Sequence, residues 1–253
     1  MSQFTPSWKK LAQLPGKMRR RLQAHGVRDC GAWCCYQFAW RCREWRMGID
    51  TREFAHGVVV DDHGVCHGYE PIDHRCLDTI LDYLGDPREQ VFVDYGCGMG
   101  RAVLMAAARP FRRVLGVELD ARLASIAEQQ VARARRRGKL RCAEVQVLQR
   151  DAATWPVPHD VTCVFLFNSF TGDLLATVLE QIRESLEQSP RPLKLVYVQP
   201  VADHDTLADC SWLEQRASLP TGFWSHVRTV VYEPRLGAGA GDGGRKQPTA
   251  DSR

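Results

Sequence analysis

The residues best suited to chemistry lie in Val91-Phe-Val-Asp-Tyr-Gly-Cys-Gly-Met-Gly-Arg101. An apolar run ends in an acid, Asp94, and Gly96, Gly98 and Gly100 then alternate before a segment of helical composition. Glycines admit backbone angles closed to other residues and let a ligand approach the main chain with no Cβ in the way. The helix start that follows offers N–H groups with no partner inside the helix. A dinucleotide loop has the spacing G-x-G-x-x-G, whereas this one reads G-x-G-x-G with Asp94 two residues before the first glycine. A carboxylate there suits a cationic ligand group and is unwelcome beside a pyrophosphate, which argues against a nicotinamide-dependent oxidoreductase. A Gly-rich turn alone is only moderately specific.

Three further signals support the loop. Val114-Leu-Gly-Val-Glu-Leu119 places Glu118 at the end of the next apolar run. An acid there can accept hydrogen bonds from both ribose hydroxyls of an adenosine ligand; by itself it could be an exposed strand-end Glu. Arg150-Asp151-Ala152 follows a third strand-like run, and Asp151 can accept from an adenine amino group or cap the next turn. Phe167-Asn168-Ser169-Phe170 ends the run from Val161. Asn168 can accept a hydrogen bond from an amine, and Phe170 can stack on a flat or cationic group. The alternative is a turn Asn and a core Phe.

These positions need a scaffold that brings strand ends together. Helical spacing predicts helices over Asp73–Leu84 (Leu77, Ile80, Leu81 and Leu84 on one face), Arg101–Ala108, Ala121–Arg137 and Asp173–Glu187. Apolar runs predict strands over Val91–Asp94, Arg113–Glu118, Glu144–Leu148, Val161–Phe167 and Leu193–Val198, with a last, antiparallel strand over His226–Tyr232. Such alternation implies a doubly wound, mostly parallel α/β sheet with right-handed crossovers, whose ligands sit at the carboxyl ends of the strands.

Three zones emerge: residues 1–55, a basic helical extension; 56–235, the α/β domain; and 236–253, a Gly-rich polar tail expected to be disordered. The chain of 253 residues carries only +4 overall, but residues 1–50 hold ten Lys/Arg against three Asp/Glu. That surface could touch nucleic acid, although a solvated Arg-rich helix is the simpler reading. Ten cysteines spread along the chain, no apolar stretch suited to a secretory signal at Met1–Arg21 and no membrane-length apolar run lead us to expect a reduced, cytoplasmic protein. The spacings of His63, Cys66, His67, His74 and Cys76, and of Cys30, Cys34, Cys35 and Cys42, fit no strong zinc pattern, so no metal is expected.

Taken together, VDYGCGMGR, GVELD, RDA and FLFNSF resemble the motifs of class I methyltransferases that use S-adenosyl-L-methionine (SAM), over roughly residues 69–200. Gly48-Ile-Asp-Thr51, Gly68-Tyr-Glu-Pro71 and the FNSF motif are similar to segments of a group of uncharacterised bacterial methyltransferases with Gly-Ile-Asp-Thr, Tyr-Glu-Pro-Thr-Pro and Phe-Asn-Pro-Phe. The Tyr-Glu-Pro element is also similar to a loop that closes over SAM in non-SET histone-lysine methyltransferases. The resemblance implies a Rossmann-like methyltransferase fold with a seven-stranded sheet and SAM as cofactor. It implies cofactor contacts from Glu70, Asp94, Gly96, Cys97, Gly98, Gly100, Glu118, Leu119, Asp151, Ala152 and Asn168. Catalytic roles fall to Asn168 and Tyr69, and Phe170 would touch the acceptor, a protein side chain or small molecule. This chain departs from the pattern in having Ile72-Asp73 for Thr-Pro, and Ser169 for the proline that fixes the acceptor loop. The second substitution keeps open a SAM-binding module that regulates or scaffolds a partner.

Overall fold

A computed structural model describes residues 14–51, 59–61, 64–66, 71–167, 170, 172–198, 207, 210–220 and 228–235. The chain forms two compact units, Met1–Ile49 and Asp50–Arg253. In the first, α1 spans Leu14–Met47 and is interrupted at Gly26, whose φ of 80° and ψ of 174° break the helical path. In α1, Arg43 lies 4.7 Å from the centre of the Trp40 ring, and Tyr36 meets Trp40 edge-on.

The second unit begins with a short antiparallel hairpin, β1 (Val59–Asp61) and β2 (Gly64–Cys66). There follow α2 (His74–Tyr83), β3 (Val91–Tyr95), α3 (Arg101–Ala107), β4 (Arg113–Glu118), α4 (Ala121–Arg136), β5 (Glu144–Gln149), β6 (Cys163–Phe167), α5 (Gly172–Gln188), β7 (Lys194–Val198), β8 (Leu213–Pro220) and β9 (Arg228–Pro234). Seven strands form one sheet in the order β5-β4-β3-β6-β7-β9-β8. β5, β4, β3, β6 and β7 run parallel, and β9 is antiparallel to both neighbours.

Local chemistry explains the elements. β3 is buried along its whole length, as a central strand covered on both faces must be. Asp73 caps α2 by accepting from the Arg75 and Cys76 N–H groups, and Asp120 caps α4 through Arg122 and Leu123. Each such cap is worth about 1 kcal/mol. α3 differs: its cap is Gly100, in the left-handed region with no side-chain hydrogen bond, and all seven of its residues are buried. Leu77, Ile80, Leu81 and Leu84 are buried together, as the helical spacing of α2 requires.

The sheet order fixes where a ligand can sit. From β3 the chain crosses to β4 and β5 on one side, then returns to β6 on the other side of β3. The switch in strand order therefore lies between β3 and β6, the place where open α/β sheets form a crevice beyond the strand ends. Register aligns those ends: Tyr95 pairs with Val117 and with Leu166, and Glu118 pairs with Gln149.

Most predicted strands and helices lie within one or two residues of the observed ones. β8 and the β1–β2 hairpin were not predicted. In β8 only Leu213 is buried, and the pairing shifts register between Gln215 and Ala217. Arg216, inside that irregularity, pairs with Glu214 and Glu233. This is a charged edge strand, with none of the apolar alternation that marks a half-buried one. The tail beyond Arg235 lies outside the described residues.

Gly116, in the middle of β4, tests the packing between sheet and loop. A Cβ there would meet Cys97 Sγ and Val103 Cγ2, each at 2.8 Å. Gly116→Ala should cost about 1–3 kcal/mol by overpacking, read as a lower urea midpoint with an unchanged denaturant slope. An unchanged midpoint would show that loop and helix give way freely.

Candidate functional site

The bend after β3 is held from β4. Gly96 and Cys97 donate their N–H groups to the Val117 carbonyl at 2.8 and 3.0 Å. Gly98 donates to Glu118 Oε2 at 2.7 Å, and Gly100 to the Cys97 carbonyl at 2.8 Å. Gly96, Gly98 and Gly100 all have positive φ, at 72°, 54° and 82°, so side chains there would be strained. At Gly100 space also matters: a Cβ would stand 3.0 Å from the Ala127 Cβ on α4. All three glycines are thus required by the shape of the turn.

Two carboxylates flank this bend. Asp94, on β3, is 4% exposed, and burial, then the charge of Glu118, pushes its pKa well above the usual carboxylate range. Glu118 ends β4 and is also buried. Burial raises its pKa, partly opposed by the Asp120 and Gly98 N–H groups that it accepts. Its two oxygens are engaged separately, Oε1 by Asp120 N at 3.0 Å and Oε2 by Gly98. A carboxylate has about four lone-pair sites, which allows further acceptance from two hydroxyls. Cys97 lies between them; burial, then the charges of Asp94 and Glu118, push its thiol well up. It is held as a neutral thiol, and a thiolate nucleophile there is disfavoured.

The other expected residues fall as follows. Leu119, next to Glu118, is an apolar side chain left 43% exposed at the strand end. Asp151 follows β5 and accepts the Ala153 N–H at 2.8 Å through Oδ1, so it caps the turn after the strand. Ala152 is buried beside it. Phe170 is buried, edge-on to Tyr95 at 6.3 Å, and its carbonyl accepts from Tyr197 Oη at 2.9 Å. Tyr95 also meets Trp155 edge-on at 5.6 Å. All three rings belong to the hydrophobic core. Tyr69, Glu70, Asn168 and Ser169 lie outside the described residues. The structure thus brings together Asp94, Gly96, Cys97, Gly98, Gly100, Glu118 and Leu119, with Asp151 and Ala152 after the adjoining strand.

Sequence reasoning missed two polar residues behind the bend. Arg101 is 7% exposed and Gln130 is 2% exposed. Gln130 shares a helical face with Leu123, Ala127, Val131 and Ala134, all buried; a polar residue at a core position was the available signal. Among the described residues no three His, Cys, Asp or Glu side chains gather as a metal site, and His63 and His67 lie outside them. No helix among them is long and apolar enough to cross a membrane.

The raised pKa values of Asp94 and Glu118 set a pH dependence. The folded chain holds these protons more tightly than the unfolded chain. Their contribution to stability is therefore full below the ordinary carboxylate range and is lost as pH rises through the raised values. Thermal midpoints of the ligand-free protein should fall with rising pH across that window, and Asp94→Asn should flatten the fall. Parallel profiles for the two proteins would contradict it.

Residues 92–189, from β3 through α5, match the family model described as a methyltransferase domain. No curated protein matches the chain. Among solved structures, a putative methyltransferase, yhhF, from Escherichia coli aligns with a TM-score of 0.50 at 16% identity, covering 71% of this chain and 92% of that one. An RNA methyltransferase from Salinibacter ruber, in complex with S-adenosyl-L-homocysteine, aligns at 0.48 and 21% identity, covering 66% and 95%. The magnesium protoporphyrin IX methyltransferase from Synechocystis PCC 6803, with bound SAM, aligns at 0.48 and 13%, covering 63% and 78%. The sheet order and the alignment with the Escherichia coli protein give this chain the Rossmann-like methyltransferase fold.

Proposed function

We propose that the chain is a SAM-dependent methyltransferase acting on a nitrogen or oxygen nucleophile of a protein side chain or small amine. The observation that carries this reading is the contact between Glu118 Oε2 and the Gly98 N–H, which places an acid of β4 against the glycine bend of β3, with Asp94 buried nearby. The match of residues 92–189 to a methyltransferase domain supports it.

The residues present fit SAM. Asp94 is suited to its ammonium group, and the main chain from Gly96 to Gly100, including Cys97, to close approach by its methionine moiety. Glu118 has acceptor capacity for the ribose hydroxyls, and the exposed Leu119 offers an apolar face to adenine. Asp151 is assigned to the adenine amino group, beside Ala152. Glu70 and Tyr69, from the Tyr-Glu-Pro segment, are assigned above the cofactor.

Bound SAM would supply a methyl group already activated on a sulfonium, open to an acceptor lone pair. The protein then has to align the acceptor and exclude water, and orientation can supply on the order of 7–11 kcal/mol of a barrier. A neutral nucleophile gains positive charge as it attacks. The Asn168 side-chain oxygen and the Tyr69 hydroxyl are assigned to stabilise that charge, and Phe170 to the wall behind the acceptor.

A second reading, a SAM-binding module without turnover, is favoured by Ser169 in place of the loop proline. Transfer of tritiated methyl from SAM into cell-extract fractions separates the two. Turnover is expected, and Asn168→Ala should lower it while SAM affinity changes only a few-fold. Tight binding of SAM with no label transferred to any fraction would favour the module, and undiminished turnover in Asn168→Ala would remove that residue's role.

A further inference from the structure

The segments Asp50-Thr51 and Pro71-Ile72 have no part in the chemistry above, yet buried polar side chains fasten them to the back of the glycine bend. Arg101, the first residue of α3, directs its guanidinium to both. Nε donates to Thr51 Oγ1 at 2.7 Å, Nη2 to the Thr51 carbonyl at 2.8 Å, and Nη1 to the Ile72 carbonyl at 2.7 Å. Gln130, on α4, makes a second link. Its Oε1 accepts the Asp50 N–H at 2.7 Å, and its Nε2 donates to the Met99 carbonyl at 3.1 Å, inside the bend. Thr51 is 1% exposed, so the attachment is dry.

We propose that Arg101 and Gln130 are positioning residues that clamp Asp50, Thr51 and Ile72 onto the turn Met99–Arg101, and that cofactor affinity depends on this clamp; the inference rests on the SAM-binding reading of the same bend. The turn needs support from outside. Its glycines have left-handed angles, and the helix it opens has no side-chain cap. Glycines contribute no side-chain packing and lose the most conformational freedom on ordering. Held only by its own main-chain bonds, the bend would spend part of its time in shapes that do not bind, and apparent affinity would fall by that fraction. Arginine suits the task because its planar fork presents donors in several fixed directions at once, which a lysine ammonium cannot. Gln130 suits it because one amide both accepts and donates. On this account Asp50 and Thr51 are part of the cofactor site's support, although they lie far from the loop in sequence.

The test is calorimetry with S-adenosylhomocysteine (SAH), together with hydrogen–deuterium exchange of the ligand-free protein, on wild type, Arg101→Met, Arg101→Lys, Gln130→Leu and Thr51→Val. Arg101→Met should weaken SAH binding at least about tenfold, the scale of one lost hydrogen bond to a charged group, and Gln130→Leu about fivefold, the scale of a neutral one. Exchange at residues 98–101 should quicken in step, and Arg101→Lys should recover part of the affinity. If Arg101→Met fails to fold, Gln130→Leu and Thr51→Val, which leave the guanidinium in place, decide the matter. Folded variants with lower thermal midpoints but SAH affinity within about twofold of wild type would reduce Arg101 and Gln130 to ordinary core residues and overturn the proposal. Should wild type itself bind no SAH, the SAM reading fails. The cofactor part of the proposal then falls with it, and the clamp stands or falls on exchange at residues 98–101.

Discussion

The hydrogen bond from the Gly98 N–H to Glu118 Oε2 is the interaction on which the rest of the site depends. It joins the loop after β3 to the end of β4, so two neighbouring parallel strands define one crevice. The same carboxylate accepts the Asp120 N–H, and Asp120 caps α4. α4 in turn presents Ala127 against Gly100 and Gln130 toward Met99. Loop, strand end and helix therefore form a closed circuit.

This arrangement buries two carboxylates close together. Taking charged groups out of water costs far more than taking neutral polar ones, and the raised pKa values of Asp94 and Glu118 are the visible consequence. A site that served only the fold would replace such acids with apolar residues at little loss. Their presence on β3, which borders the switch in strand order, and at the end of the neighbouring β4, beside an exposed Leu119, is understandable if a cationic, hydroxyl-bearing ligand takes up their unused hydrogen-bonding capacity. Tyr95, the residue that leads into the bend, packs edge-on against Trp155 and Phe170 in the core.

Much of this was legible in the sequence because the signals were local. The glycine spacing, the acid before it and the acid on the next run are separated by short, regular elements, and β-strand register carried them to the carboxyl ends of neighbouring strands. Phe170 was harder: an aromatic residue after a strand serves as readily in a core as in a binding wall, and its burial against Tyr95 depends on tertiary packing. β8 was not legible because an edge strand with one buried residue has no periodic signature. Arg101 and Gln130 were overlooked for the opposite reason. Their partners, Thr51, Ile72 and Asp50, are distant in sequence, so no spacing rule connects them.

The central claim is that Glu118 serves both the bend and an adenosyl ligand. Calorimetric titration of wild type and Glu118→Ala with SAH tests it most directly. Wild type should bind one equivalent per chain, and Glu118→Ala should bind roughly 10- to 150-fold more weakly, the equivalent of about 1.5–3 kcal/mol for lost hydrogen bonds to a charged group. Equal affinity for the two proteins, or no heat of binding to the folded wild type, would contradict it.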